Sequence, residues 1–440
     1  MSSSTIFSIV ICLLGLGILA AIHEIGHFFV ARLLKIKVYE LSIFVGPKLL
    51  GWTRKGVEYS IRLIPLGAYV RFSEIDEETG ELKDDNPENL INQARWKRLV
   101  VSLAGPIMNL ILGSIIFAIC FSKFGYLVLR QNVILEDTQV AATQVIEPGD
   151  EILSFNGRKV LTQLELSYYL DQVGSTEEIT LEMRSKRTGE KYEAVLTPDI
   201  CEQYMLGVTH YSELDENQGW HIVEVSSQQN NGNPLIEIGD SIIAINGTPV
   251  YDPSVVNIVS DSNGNPITVT LIREGQQMDL QLTPTMIKTT NLRGINLEEG
   301  SGFGDLIRQS VVFPISFIRL SIDSIAEAIA GNIPAYDVVS GPVGIASVVS
   351  DVVEDKETDN SEKYEMLLFL AGGISVGLAF TNLLPIPGLD GNAIVLTVVE
   401  MIRGKKLSRK AEQVINVVGF CMIVLLLIFA LASDIIRLSR

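Results

Sequence analysis

Histidine, cysteine and positive charge are all scarce in this 440-residue chain: there are 4 His and 4 Cys, and 34 Lys and Arg stand against 52 Asp and Glu, a net charge of −18. The shortage of cations excludes the basic footprint by which nucleic-acid binders hold phosphate. The shortage of cysteine excludes a disulfide framework. Cys12, Cys120 and Cys421 fall inside apolar runs and Cys201 stands alone outside them, so all four are expected to be packing residues. No Lys or Arg precedes Ile6, and no small-residue cleavage site follows the first apolar run. That pattern lacks the marks of a secretory signal, and the run is expected to be retained.

What the chain has in quantity is apolar sequence, 47% of residues, concentrated in four runs: Ile6 to Val30, Leu99 to Phe121, Met366 to Leu389 and Val414 to Ala432. A helix needs about 20 residues to cross the hydrocarbon core, so each run is long enough to span. Charge is distributed unevenly around them. Gln131 to Gly300 holds 26 acidic and 9 basic residues, whereas 12 Lys and Arg lie between Arg32 and Arg98 and five more between Arg403 and Lys410. Positive residues favour the cytoplasmic side. Both termini and the acidic region are therefore expected outside, as in a bacterial inner membrane.

Between the first two runs, Val38 to Phe72 reads as β structure around a polar turn at Thr53 to Gly56. Pattern alone leaves two readings open, an ordinary cytoplasmic hairpin or one that dips back into the membrane. Irregular backbone survives at depth only when buried in protein or lining a wet cavity. The acidic region contains an internal repeat. The segment from Glu147 to Val160 aligns with that from Glu237 to Val250, with half the positions identical. In each copy Gly-Asp introduces an apolar strand and Asn-Gly makes the following tight turn. The pattern resembles PDZ domains of the bacterial protease type, two in tandem, a fold that takes extended peptides at a sheet edge. Phe303 to Gly331 has the spacing of an amphipathic helix lying on the membrane surface, and Asp351 to Glu362 reads as a solvated loop.

Two of the four histidines lie in one motif, His23-Glu24-Ile25-Gly26-His27. On a helix, residues four apart share a face, so both imidazoles can reach one metal ion, with Glu24 beside them as a base. HExxH alone is a weak signal. Ionisable residues inside an apolar helix, however, are costly and mark function. A zinc site needs a third protein ligand. His210 and His221 belong to the acidic region and would have to cross half a bilayer; the better candidate is Asp390, in Asn382-Leu-Leu-Pro-Ile-Pro-Gly-Leu-Asp-Gly391. The first and third runs cross in the same direction and carry these motifs near their inner ends, so the two meet at similar depth. Pro385 and Pro387 break the helix there and free backbone to line a site.

At this point the chain resembles the site-2 protease family of intramembrane zinc metalloproteases, in its regulator of sigma-E protease branch. The resemblance runs nearly the full length, through HEIGH, Gly46-Pro-Lys48, Leu63-Ile-Pro-Leu-Gly67, Ala104-Gly-Pro-Ile-Met-Asn109, the repeat, Gly341-Pro-Val-Gly-Ile345 and the Asn382 to Gly391 stretch. It implies zinc held by His23, His27 and Asp390, with Glu24 as general base. It also implies a membrane re-entrant hairpin whose edge, near Gly46 or Tyr69, accepts an unwound substrate. Asn382 would contact the substrate backbone, and Asn109 would have a supporting role. Relatives often read LDGGH where this chain has Leu389-Asp-Gly-Asn392, which changes none of the expected ligands. Implied substrates are single-span membrane proteins, namely an anti-sigma factor already trimmed by a site-1 type protease and remnant signal peptides.

The expected architecture is a four-span α-helical membrane protein with a re-entrant β-hairpin and two extramembrane PDZ-like α+β domains. Residues 1–126 form the first catalytic part, 127–205 and 206–290 the PDZ copies, 291–363 amphipathic helix and loop, and 364–440 the second membrane part. Two other classes remain open on the residues alone. A PDZ scaffold with a decayed metal site would not need Glu24, and a metal transporter would need a second intramembrane carboxylate cluster, which the sequence lacks.

Overall fold

The computed structural model describes residues 3–74, 86–132, 146–173, 178–196, 199–215, 217–226, 229–291, 295–354 and 360–438. Residues group into two compact units. The first holds Met1–Leu129, Leu161–Tyr168 and Glu299–Arg440, and the second Arg130–Val160 and Tyr169–Glu298.

The first unit is built from seven long or intermediate helices: α1 (Ser3–Leu33), α2 (Arg95–Phe124), α3 (Phe303–Ala330), α4 (Pro342–Glu354), α5 (Asn360–Leu383), α6 (Asp390–Arg403) and α7 (Arg409–Leu438). Four stretches are long and apolar enough to cross a membrane: Cys12–Leu33, Arg95–Phe124, Asn360–Leu383 and Val417–Ile436. They match the four apolar runs, with one correction. The third run does not continue as helix to Leu389. α5 stops at Leu383 and α6 restarts at Asp390, because Pro385 and Pro387 lack N–H groups and push their preceding residues out of the helical region. A second correction concerns Asp351 to Glu362. Residues 351–354 are the last turn of α4 and 360–362 the first turn of α5, while 355–359 lie outside the described residues.

α1 and α2 approach closely at Gly26, which has no side chain. A Cβ on Gly26 would lie 2.5 Å from the Ala104 carbonyl oxygen, so only glycine admits this crossing, the usual device of helix packing in lipid. Further along α2, Phe117 and Phe121 pack with Phe313 of α3 and Val376 of α5 in one buried cluster. Cys12 and Cys120 are buried and Cys421 is exposed on α7.

The hairpin β1 (Glu40–Arg54) and β2 (Val57–Arg71) folds further than its pattern implies. Residues 40–43 pair with 58–61 on one side and with 68–71 on the other. Residues 50–54 pair in turn with 57–61. β2 therefore doubles back at Pro65 to Gly67, where Gly67 has φ +95, and the result is a four-stranded sheet in the order 50–54, 57–61, 40–43, 68–71, with 68–71 at an edge. Phe44 has φ +67, strained for an aromatic residue. Its ring and the Pro65 carbonyl lie where a Cβ on Gly17 of α1 would be, at 2.8 and 2.6 Å. The hairpin is thus seated directly on the helix that carries the HExxH motif.

In the second unit the repeat is visible strand by strand. One sheet runs 297–299, 127–131, 151–155, 179–184, 191–196, and the other 208–214, 220–225, 241–245, 267–273, 276–282. In both, a two-residue strand after the Asn-Gly turn pairs with the third strand of the order. The repeated residues do equivalent work. Asn156 and Asn246 both have φ +48, and their Oδ1 atoms accept the Thr180 and Thr268 amides, each at 2.8 Å. Asp150 and Asp240 are buried and accept the amides of Glu147 and Glu237. Ile222, Ile242, Ile245, Val269 and Leu271 fill the core of the second sheet. His210 and His221 stack on Trp220 and Tyr211.

Candidate metal centre

The two histidines of α1 and the aspartate that opens α6 converge, 367 residues apart in sequence. His23 Nε2 lies 2.8 Å from Asp390 Oδ2, His27 Nε2 lies 3.2 Å from the same oxygen, and the two Nε2 atoms are 3.2 Å apart. Among the described residues this is the one group of three His, Cys, Asp or Glu side chains able to share a metal ion. Two imidazole nitrogens and a carboxylate oxygen all offer lone pairs to the same point, so a cation belongs between them. The spacings are close to the roughly 3.3 Å expected between ligand atoms held tetrahedrally at zinc.

The far sides of the rings are supported as metal ligands require. His27 Nδ1 donates to the Val101 carbonyl at 2.8 Å, which directs Nε2 inward. His23 Nδ1 faces the amide of Asn109, 3.5 Å from Nδ2, while the buried Asn109 Oδ1 has no partner. Exchanging the amide nitrogen and oxygen lets Oδ1 accept from His23 Nδ1–H and leaves Nε2 free for the metal. Ser375 of α5 donates to the Asn109 carbonyl at 2.9 Å and fixes this turn of α2.

Space for the centre comes from Gly105. A Cβ there would lie 2.3 Å from His27 Nε2 and 2.6 Å from His23 Nε2. Gly391 has the same function on the other side, since its Cβ would meet the carbonyls of Leu383 and Leu384 at 2.3 Å. It lets α6 start directly beneath the end of α5. Pro387 packs against Gly419 of α7, where a Cβ would be 2.0 Å from the proline ring, so both prolines lie in the break that delivers Asp390.

A cavity of about 180 Å³ opens beside the cluster, lined by Glu24, Ala68, Asn109, Asn382 and Leu389 among others. Asn382, from the last turn of α5, lines this cavity. Glu24 Oε2 accepts the Val70 amide of the hairpin at 3.0 Å.

Of Gly46 and Tyr69, expected near the accepting edge, Tyr69 lies on the edge segment 68–71 and Gly46 does not. Gly46 has φ +86 and its carbonyl accepts Arg62 Nη1 at 2.8 Å, while the Tyr69 hydroxyl donates to Glu40 at 2.8 Å. Arg71 O accepts from Tyr39 N, so odd-numbered backbone groups of 68–71 face the sheet. By strand alternation Ala68 and Val70 face outward. Sequence reasoning missed Val70, Glu40 and Gly105. Of these only Gly105 left a signal, the Ala-Gly-Pro run before Asn109.

The comparisons with known proteins agree with this geometry. Residues 11–426 match the family model described as peptidase family M50. The chain is 28% identical to a Clostridium acetobutylicum protein provisionally named a zinc metalloprotease, over 98% of each chain. It is 25% identical to the zinc metalloprotease RasP of Geobacillus kaustophilus over 98% of each. It is 26% identical to the regulator of sigma E protease of Salmonella typhi, over 99% of this chain and all of that one. A His-His-Asp cluster inside apolar helices, on a chain matched almost end to end, identifies it: the chain belongs to peptidase family M50, the site-2 proteases, and is an intramembrane zinc metalloprotease.

Proposed function

We propose that the protein hydrolyses a peptide bond within the membrane-embedded segment of single-span membrane proteins, with His23, His27 and Asp390 as zinc ligands and Glu24 as general base. The observation that carries this reading is the meeting of His23 Nε2, His27 Nε2 and Asp390 Oδ2 beside a small cavity that the Glu24 side chain also lines. Bound zinc supplies a Lewis acid that acidifies water and polarises a carbonyl. Glu24 takes the proton from the attacking water and delivers it to the leaving amine. Asn109 holds the His23 tautomer, and Val101 that of His27.

A transmembrane helix keeps its carbonyls bonded internally, so the substrate must unwind before attack. The outward-facing Ala68 amide and the carbonyls of Ala68 and Val70 offer an unwound segment a strand edge to pair with, next to Glu24, which holds the Val70 amide. Asn382 is suited to bind the substrate backbone from the opposite wall of the cavity. A hairpin seated on Gly17 of α1 favours the membrane re-entrant reading over an ordinary cytoplasmic loop.

The two sheets of the second unit are read as tandem PDZ domains on the outer face, together with both termini. There they act as a gate that excludes substrates until an upstream protease has trimmed them. The branch of the family it resembles points to an anti-sigma factor in envelope stress signalling, and to remnant signal peptides, as substrates. Cleavage of a trimmed single-span substrate in liposomes tests the reading. Glu24→Gln should lose on the order of a thousandfold in rate, chelation should abolish cleavage, and zinc should restore it. Wild-type rates from Glu24→Gln would overturn the proposal and favour a PDZ scaffold without proteolytic activity.

A further inference from the structure

Glu40 is 5% exposed and sits in an inner strand of the four-stranded hairpin sheet, between 57–61 and 68–71. Four side chains from the two flanking strands converge on its carboxylate. Ser60 Oγ at 3.1 Å and Arg62 Nη2 at 2.9 Å reach it from one side, and the Tyr69 hydroxyl at 2.8 Å and Arg71 Nε at 3.4 Å from the other. Tyr69 and Arg71 are the inward-facing residues of the edge segment 68–71. The alternate residue Val70 donates its amide to Glu24. Arg62 continues the network to Ser42 Oγ at 3.1 Å and to the Gly46 carbonyl.

Residues 68–71 form a short strand paired on one side only, and such an edge is intrinsically loose. Two guanidiniums, Arg62 and Arg71, also sit on strands flanking the same residue. Without an anion between them they would repel. Buried ion pairs are costly to assemble but strongly disruptive to break, because the partner charges are left behind.

We infer that Glu40 is a positioning residue for the protease reaction: its carboxylate locks segment 68–71 in the register that presents Ala68 and Val70 to the substrate strand beside Glu24. This rests on the reading of that edge as the docking strand. Glu40 touches neither zinc ligand nor substrate, and its influence passes through Tyr69 and Arg71 to the backbone between and around them. The role is specific to the hairpin's inner strand. Glu58, the register partner of Glu40 on the next strand, instead pairs with Lys48 in a partly exposed ion pair.

The test uses the full-length protein in liposomes with a trimmed single-span substrate, comparing Glu40→Gln, Glu40→Ala, Glu40→Asp and the control Glu58→Gln. Kinetics are read with zinc content and with deuterium uptake of the peptide spanning residues 67–72. Loss of charge-assisted hydrogen bonds predicts that Glu40→Ala and Glu40→Gln lower kcat/KM by about tenfold or more. The loss should fall mainly in KM, with zinc retained and uptake raised in that peptide. Glu40→Asp should recover part of the loss, and Glu58→Gln should stay within about twofold of wild type, as an exposed pair does. Wild-type KM and uptake in the Glu40 variants would overturn the role, as would a loss confined to kcat. If Glu40→Ala proves unstable, Glu40→Gln together with Arg71→Gln decides, since both should raise KM. Glu24→Gln separates the two failures. An inactive Glu24→Gln beside normal Glu40 variants discards only the positioning role, and an active Glu24→Gln discards the reading of the site itself.

Discussion

The two units of this protein build order in opposite ways. The second unit repeats itself, and its polar residues shape turns: Asn156 and Asn246, Asp150 and Asp240 hold the same bends in two similar sheets. Order there is local and redundant. The first unit repeats nothing. Its candidate metal centre joins residues far apart in sequence, His23 and Asp390 across 367 positions. In water a misplaced polar group can be resolvated, whereas between apolar helices it cannot. The membrane unit therefore tolerates change least where glycine, histidine and asparagine are packed together.

Replacing a glycine is the sharpest way to expose that difference. Gly105→Ala places a methyl group within 2.3 Å of a ligand nitrogen and should displace the histidines, costing a hundredfold or more in activity together with zinc, on the order expected when ligand support is lost. Gly15→Ala, on the same type of apolar helix but with nothing within 4 Å of the new Cβ, should keep full zinc content and gain up to about 1 kcal/mol of helix stability. Equal behaviour of the two variants in zinc content and cleavage assays would mean that the close crossing at Gly105 is not what holds the ligands.

Asn109→Ala comes next in size. It removes the acceptor for His23 Nδ1–H and should weaken zinc binding by about 10–100-fold, measured by competition with a chelator of known affinity. Asn109→Asp keeps an acceptor and should bind more tightly than the alanine variant. The smallest effect on the chemistry should follow deletion of residues 131–289. If that unit is a gate, the shortened protein cleaves a trimmed substrate at a wild-type rate and now also cleaves an untrimmed one. If it is an obligatory receptor, cleavage of both is lost.

The same contrast governs what could be read from the sequence. The four spans follow from apolar length, the repeat from matching residues, and the proposed ligands from scarce histidines set beside a proline-broken LDG stretch. Less local features were hidden. The doubling-back of β2 depends on Phe44 at φ +67 and on the turn at Pro65 to Gly67, neither of which follows a two-residue period. α4, with its run of Val343, Ile345, Val348, Val349, Val352 and Val353, carries a composition that favours strands yet packs as a helix. Glu40 reads in sequence as a surface charge. Its burial becomes visible only when the strands on either side bring Arg62 and Arg71 to it.

Zinc content per chain, measured on purified wild type, Asp390→Ala and Glu24→Gln, tests the assignment of ligands and base most directly. The geometry calls for one zinc in wild type and in Glu24→Gln, with Glu24→Gln inactive, and for zinc binding weakened beyond detection in Asp390→Ala. Full zinc in Asp390→Ala, or loss of zinc in Glu24→Gln, would contradict the proposed division of labour between His23, His27, Asp390 and Glu24.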